Sequence, residues 1–248
     1  MKKKAERPKK KTLEPQQERS RESLEKLLRA AIEVLGQHGI EGATIPRIAH
    51  HAGLTPGSVY RRFADKDALL ETAILRLLER QDKSLRGMTP DLAREISLRA
   101  FAETTINNLI IGYRSRAPML RAIRQFVRSR RGTPFSRKAS RLEISTYQQL
   151  VGLFAAHADR IKHPDPRRAI ATGLMMVIST VVELIVMGDD LSAWKDLLPI
   201  EDQALRRELV RAFLNYLGVE DAPGAAGKME AEQVAAMNRW RERSSQNV

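Results

Sequence analysis

From Ser20 onward, the apolar residues of this chain recur with the period of a helix. No stretch alternates apolar with polar, as a half-buried strand must. That pattern predicts an all-α protein. A first helix is expected over about residues 20–37, where Leu24, Leu27, Leu28, Ala31 and Leu35 make one stripe, and Gly39 ends it. A short helix follows, with Thr44 at its N-cap and Ile45, Ile48, Ala49 and Ala52 on one face. After a turn at Gly53-Leu54, Thr55 caps a third helix that carries Pro56 in its first position and ends near Phe63. Asp65 caps a fourth, over about residues 66–83. Beyond the break at residues 87–90, helices are expected over about 91–114, 117–130, 134–161, 165–187 and 201–217.

This pattern divides the 248 residues into four parts. Residues 1–19 lack apolar periodicity, hold seven Lys/Arg in the first eleven positions, and are expected to be a disordered basic arm. Residues 20–66 form a small helical domain, 67–218 a larger helical one, and 219–248 a linker and flexible tail. Absence of cysteine excludes disulfides, thiolate metal sites and a cysteine nucleophile. The charged N-terminus is followed by no apolar run, so no secretory signal is expected and a cytoplasmic location is. The net charge of +13 favours a polyanionic partner, and residues 1–66 carry fifteen Lys/Arg against eight Asp/Glu.

Ala49, Gly53 and Val59 say where that partner would bind. Two helices joined by a short turn cross closely, so the first needs a small residue at the crossing, which Ala49 supplies. Gly53 supplies a turn residue that adopts positive φ without steric cost. Val59 supplies a branched apolar anchor one turn into the second helix. With caps at Thr44 and Thr55, the spacing is that of a helix-turn-helix. The first turn of the second helix, Thr55-Pro56-Gly57-Ser58, has little bulk, so its N-terminus can come close to phosphates and base edges. Tyr60, Arg61, Arg62 and Lys66 flank it with a phenol, two guanidinium forks and an ammonium. Arginine can read guanine in the major groove, while Tyr, Thr and Lys usually hold phosphates.

The stretch from Leu27 to Leu70 resembles the N-terminal domain of TetR/AcrR-family transcriptional regulators. The resemblance rests on Ala30-Ala31, Gly39, Thr44, Ile48-Ala49, Ala52-Gly53, Thr55, Gly57, Tyr60, Phe63, Lys66 and Leu69. It departs from the family at Gly36-Gln37, where an aromatic residue is common, and at Pro46, early in the second helix. The resemblance implies a three-helix DNA-binding domain, a larger helical regulatory domain and a homodimer. It also implies that Thr44 and Lys66 contact phosphate, that Arg47, Thr55, Ser58 and Arg61 face the groove, and that Tyr60 bridges to the DNA backbone.

The larger domain is less informative. Phe126, Tyr147, Phe154, Met175 and Met176 are candidates for lining an effector pocket, and Glu103, Glu143 and Glu183 sit in apolar contexts where a carboxylate can meet a cationic ligand. Residues 169–188 reach the length of a membrane span, but Glu183 and several hydroxyl residues interrupt them; burial against the core and a partner subunit is the expectation instead, the helices at 165–187 and 201–217 forming a four-helix interface with Val181 and Phe213 in it. No P-loop, nucleophile motif or paired-carboxylate signature appears, so neither an enzyme, a cofactor nor a metal is expected. The function expected is a sequence-specific regulator binding a pseudo-palindromic operator as a homodimer, a repressor released by a small-molecule effector. The alternative is a ligand-independent architectural or cell-division factor.

Overall fold

A computed structural model describes residues 14–188, 196–198 and 201–219. The basic positions 2–11 and the tail from residue 220 onward lie outside the described residues. Among the described residues every regular element is helical: α1 (Glu14–Gly42), α2 (Ile45–His51), α3 (Pro56–Tyr60), α4 (Lys66–Leu85), α5 (Pro90–Arg94), α6 (Leu98–Ser129), α7 (Pro134–Ala155), α8 (Pro166–Val181) and α9 (Asp202–Tyr216). A 3₁₀ turn, Ala158–Arg160, follows α7, and α8 winds on as a π-helix, Val182–Met187.

Helix α1 begins at Glu14, inside the stretch expected to lack structure. No apolar stripe drives this first part, and residues 17–22 are all exposed. Extending an existing helix is cheap, however, and Gln16, Gln17, Glu18 and Arg19 are good helix formers, with Pro15 in a first turn that needs no N–H from it. At the other end Gly39, at φ 66° and ψ −175°, breaks the helix where the sequence predicts.

The helices build two apolar cores. The first gathers Leu27, Ala31 and Leu35 of α1, Ile48 and Ala49 of α2, Val59 of α3 and Leu69, Leu70, Ala73 and Ile74 of α4, together with Ile123 and Phe126 of α6 and Phe135 of α7. The second gathers Phe101, Ile106 and Ile110 of α6 with Phe154 of α7, Ile170, Leu174 and Val181 of α8, and Leu209 and Phe213 of α9. Helix α6 therefore belongs to both. This overturns the expectation of two helices, 91–114 and 117–130: α6 runs unbroken through Pro118, with α5 as a separate short helix before it. An interior proline costs about 3 kcal/mol, and a helix anchored by buried side chains on both sides of it can bear that loss.

Polar contacts fasten α4 to its neighbours. Glu25 of α1 pairs with Arg76 and Arg80, and Lys138 of α7 reaches Glu79 at 2.9 Å. Arg130, just past α6, lies 3.7 Å over the Phe126 ring and pairs with Asp67. Near the far end of α4, Asp82 is buried and accepts hydrogen bonds from Ser145 Oγ (2.6 Å), Gln149 Nε2 (2.5 Å) and Arg86 (2.7 Å). The Ser145 hydroxyl, then Arg86 and Gln149, hold that carboxyl below its usual range, against the opposing effect of burial.

Two further differences from expectation concern the larger half. Helix α7 stops at Ala155 instead of continuing to 161, and Arg94 Nε caps the chain there by donating to Ala156 O at 2.9 Å. Val181 and Phe213, expected at a partner interface, point into the chain's own core. The segment Pro166–Met187 is long and apolar enough to cross a membrane by length and composition, yet Ala169, Ile170, Gly173, Leu174 and Val177 pack inward.

Candidate nucleic-acid interface

The α2–α3 corner is built as its spacing requires. Ala49 and Val59 are fully buried at the crossing. Gly53 has φ 67°, and a Cβ placed on it would meet nothing within 4 Å, so the turn demands backbone freedom there and not space. Thr55 caps α3, its Oγ1 accepting from Ser58 N at 3.3 Å, with Pro56 in the first turn. Thr44 occupies the N-cap position of α2 with extended backbone, but its side chain makes no capping hydrogen bond. Its exposed hydroxyl is left for other partners.

What α3 presents outward is unlike a structural face. Tyr60 is 57% exposed, whereas Phe63, three residues on, packs against the first core. A Cβ on Gly57 would meet nothing within 4 Å, so the protein's own packing does not require the missing side chain. Thr55, Gly57, Tyr60, Arg61 and Arg62 are all exposed. Arg47 is exposed as well, with Nη1 held at 2.6 Å from Gly42 O. Two candidates are more engaged than the sequence suggests. Ser58 is half-buried and donates through Oγ to Thr55 O at 2.7 Å, and Lys66 is half-buried with Nζ 3.1 Å from Ile40 O. An ammonium has three N–H donors, so this bond leaves Lys66 capacity for an external oxygen.

The structure also shows contacts that no local pattern announces. Arg62 reaches Ser20 on α1, Nη2 to Oγ at 3.3 Å and Nη1 to the carbonyl oxygen at 3.4 Å, which sets the start of α1 beside the end of α3. His51 of α2 pairs with Glu33 of α1 at 2.7 Å. Both link positions far apart in the sequence.

The five pocket candidates of the larger half do not converge. Phe126 is fully buried in the first core, edge-on to Phe135 and beneath Arg130. Phe154 is fully buried between Phe101, at 4.6 Å, and Phe213, at 5.3 Å. Tyr147 donates its hydroxyl to Ala171 O. Met175 and Met176 point outward, 53% and 46% exposed, so they line no interior space. Of the three carboxylates, Glu103 pairs with Arg99 at 3.5 Å, and Glu183 is exposed. Burial pushes the Glu143 carboxyl up, with Arg124 opposing. Among the described residues no cluster of His, Cys, Asp and Glu is placed to hold a metal ion.

Fold and corner together define a helix-turn-helix protein with a larger helical unit attached. Residues 27–73 match the family described as bacterial regulatory proteins, tetR family. Among curated relatives, the uncharacterized HTH-type transcriptional regulator TtgW of Pseudomonas putida is 36% identical over 81 residues, 33% of this chain and 58% of that protein. The HTH-type transcriptional regulator SrpR, also of Pseudomonas putida, is 37% identical over 79 residues, 32% of this chain and 36% of SrpR. The chain thus aligns with less than two thirds of either relative. The fold extends the likeness: a TetR-family structure from Mesorhizobium loti superposes with a TM-score of 0.64 at 19% identity, over 81% of this chain and 98% of that one. FadR of Bacillus subtilis, solved in complex with stearoyl-CoA, gives 0.56 at 14% identity, over 77% and 97%. Residues 27–73 thus match the DNA-binding part of the tetR family of bacterial regulatory proteins, and the described helices share the fold of TetR-family structures.

Proposed function

We propose that this protein is a sequence-specific double-stranded-DNA-binding repressor that acts in the cytoplasm as a homodimer and leaves its operator when a small molecule binds. The observation that carries the DNA-binding part is the outward face of α3: a first turn without bulk, Gly57 open to solvent, and Tyr60, Arg61 and Arg62 exposed beside it. A helix N-terminus of that kind fits a major groove, and exposed Arg47, Thr44 and Thr55 extend the surface with donors suited to phosphates and base edges. Lys66 adds a cation tethered at the corner. Arg61 is the residue proposed to read a base, and Thr44, Tyr60 and Lys66 those proposed to hold phosphate.

Dimerisation is supported by the outer face of α8, where Thr172, Met175, Met176 and Ser179 are exposed on one helical stripe that Met187 continues. Exposed methionines in a row suit a self-complementary patch. Effector release is supported by likeness of fold to the stearoyl-CoA complex of FadR, and an amphipathic molecule with a long apolar part is the class favoured. Helix α6 offers the mechanical link, since it builds the core of each unit.

Selecting bound fragments from genomic DNA with purified full-length protein tests the reading. A recurrent pseudo-palindrome with half-sites about one helical turn (~34–36 Å) apart is expected. Equal affinity for selected and random duplexes at physiological salt would refute it. Titration of a long-chain acyl-CoA into the selected complex then tests release.

A further inference from the structure

We propose that the turn between α6 and α7 is a second DNA-contacting surface, in which Arg128, Arg131 and Arg137 hold the phosphate backbone of the duplex read by α3; this rests on the DNA-binding reading above. The sequence concentrates charge there. Residues 104–142 carry ten Lys/Arg and none of the chain's 30 Asp/Glu. The structure separates the cations spent internally from the rest. Arg130 pairs with Asp67 and with Glu71 Oε1, the latter at 3.5 Å, and stacks on Phe126, while Lys138 reaches Glu79. Arg128, Arg131 and Arg137 are exposed and form no ion pair among the described residues.

Placement points to the duplex. Phe126 and Phe135, on either side of the turn, are buried in the first core, so the turn belongs to the unit that carries α3. Asp67 and Glu71, which Arg130 holds, lie in the first two turns of α4, directly after Lys66. Arg130 thus seats the turn at the end of α4 that adjoins the α2–α3 corner. By Lys138 the chain has moved away, since its partner Glu79 lies about 20 Å beyond Lys66 along the helix.

Ordinary structural roles do not account for all three arginines. Arg128 and Arg131, at the end of α6, suit that helix's dipole. Arg137 stands in the first turn of α7, which holds no acidic residue, and a cation there opposes the dipole. Its Nη1 donates to Gly132 O at 2.5 Å, which leaves other N–H groups of the fork for an external oxygen. A polyanion relieves this crowding of like charge, and a duplex seated on α3 brings one to the same end of the molecule. A guanidinium fork matches a phosphate with two parallel hydrogen bonds. Such contacts add affinity without adding base preference.

The test compares full-length wild type with Arg128→Gln/Arg131→Gln/Arg137→Gln and with a control, Arg116→Gln/Arg141→Gln/Arg167→Gln. The control removes the same charge from exposed positions away from the turn: Arg116 lies about 20 Å back along α6, Arg141 beyond Lys138, and Arg167 on α8. Each protein is titrated across a salt series on the selected duplex, extended by about one helical turn on each side. Each phosphate neutralised contributes about −0.9 to the log–log salt slope, so three engaged arginines correspond to about 2.7 per chain. The turn variant is expected to flatten the slope by about that amount. Raising salt from about 50 to about 200 mM then costs the wild type about 40-fold more affinity per chain than the variant. The control is expected to keep the wild-type slope, and both variants to keep the preference for the selected over a random sequence. A wild-type slope in the turn variant would overturn the contact and assign the patch to an acidic protein surface. Equal flattening in the control would overturn it too, by reducing the effect to overall charge. Failure of the wild type to prefer the selected duplex would overturn the DNA reading, and the turn's role with it. Removing like charge from exposed positions leaves both cores intact, so thermal midpoints are expected at or above the wild-type value. The double variant Arg128→Gln/Arg131→Gln, which leaves the start of α7 alone, is expected to lose about 1.8 of slope per chain.

Discussion

Gly36 of α1 and Met119 of α6 approach so closely that a Cβ on Gly36 would sit 2.9 Å from the Met119 Cβ and 3.2 Å from its Cα. The glycine is there for contact and not for backbone freedom. It accounts for one departure from the family pattern, since an aromatic residue at this position would meet α6. The α1–α6 contact it permits is also what draws the end of α6 into the first core.

Gly36→Ala is therefore expected to destabilise the protein. The atoms in the way belong to the root of Met119 and its backbone, which cannot swing aside as a chain end can. Overpacking of this kind costs typically about 1–3 kcal/mol, read as a lower midpoint in urea or heat. An unchanged midpoint would mean that α6 gives way freely.

The outward methionines and the inward aromatic on the neighbouring helix separate assembly from folding. Met175→Glu combined with Met176→Glu is expected to give a folded monomer, with helical circular dichroism kept and half the wild-type mass by sedimentation equilibrium. Phe213→Glu places a charge at a site 1% exposed and is expected to unfold the larger core. A double methionine variant that still sediments as a dimer would place the interface elsewhere.

His157 makes stability pH-dependent. Its ring is buried, bonds the Ala93 backbone and leaves Nε2 without a partner. Burial pushes its pKa down, with the Ala93 bond opposing. The unfolded chain thus takes up a proton at this residue before the folded one does. Stability from this group is full above the unfolded value near 6.5 and falls as pH drops below it. Thermal scans from about pH 7.5 to about pH 5.5, spanning that value, are expected to show the loss, and His157→Gln to reduce it. Equal pH dependence in both proteins would refute the assignment.

Arg61 and Lys66 should differ as specificity differs from affinity. Arg61→Ala is expected to relax preference at particular base pairs, at a cost of roughly 1–3 kcal/mol against the selected site. Lys66→Ala should weaken all duplexes alike, lower the salt slope by about one, and also lower the thermal midpoint, because its bond to Ile40 O is lost. A Lys66→Ala protein with altered base preference would contradict the phosphate role.

The reading corner was legible in the sequence because its determinants are local. Ala49, Gly53, Val59 and the Thr55 cap lie close together along the chain, and each acts through its own backbone or nearest turn. Helix periodicity likewise marked which residues share a face. It could not say which neighbour covers that face. Phe126 was a candidate for an effector pocket, and only its approach to Phe135, Arg130 and the first core made it part of the platform under α4. Met175 and Met176 sit among apolar residues, yet packing turned Ala169, Ile170, Leu174 and Val177 inward and left the methionines out. An unbroken α6 was not legible, because the cost of Pro118 is local, while the burial that outweighs it comes from two cores that meet only in three dimensions. The sequence alone determined the all-helical class, the corner and the basic charge of the first residues. Tertiary structure decided what each helix is buried against, because burial free energy depends on partners distant along the chain.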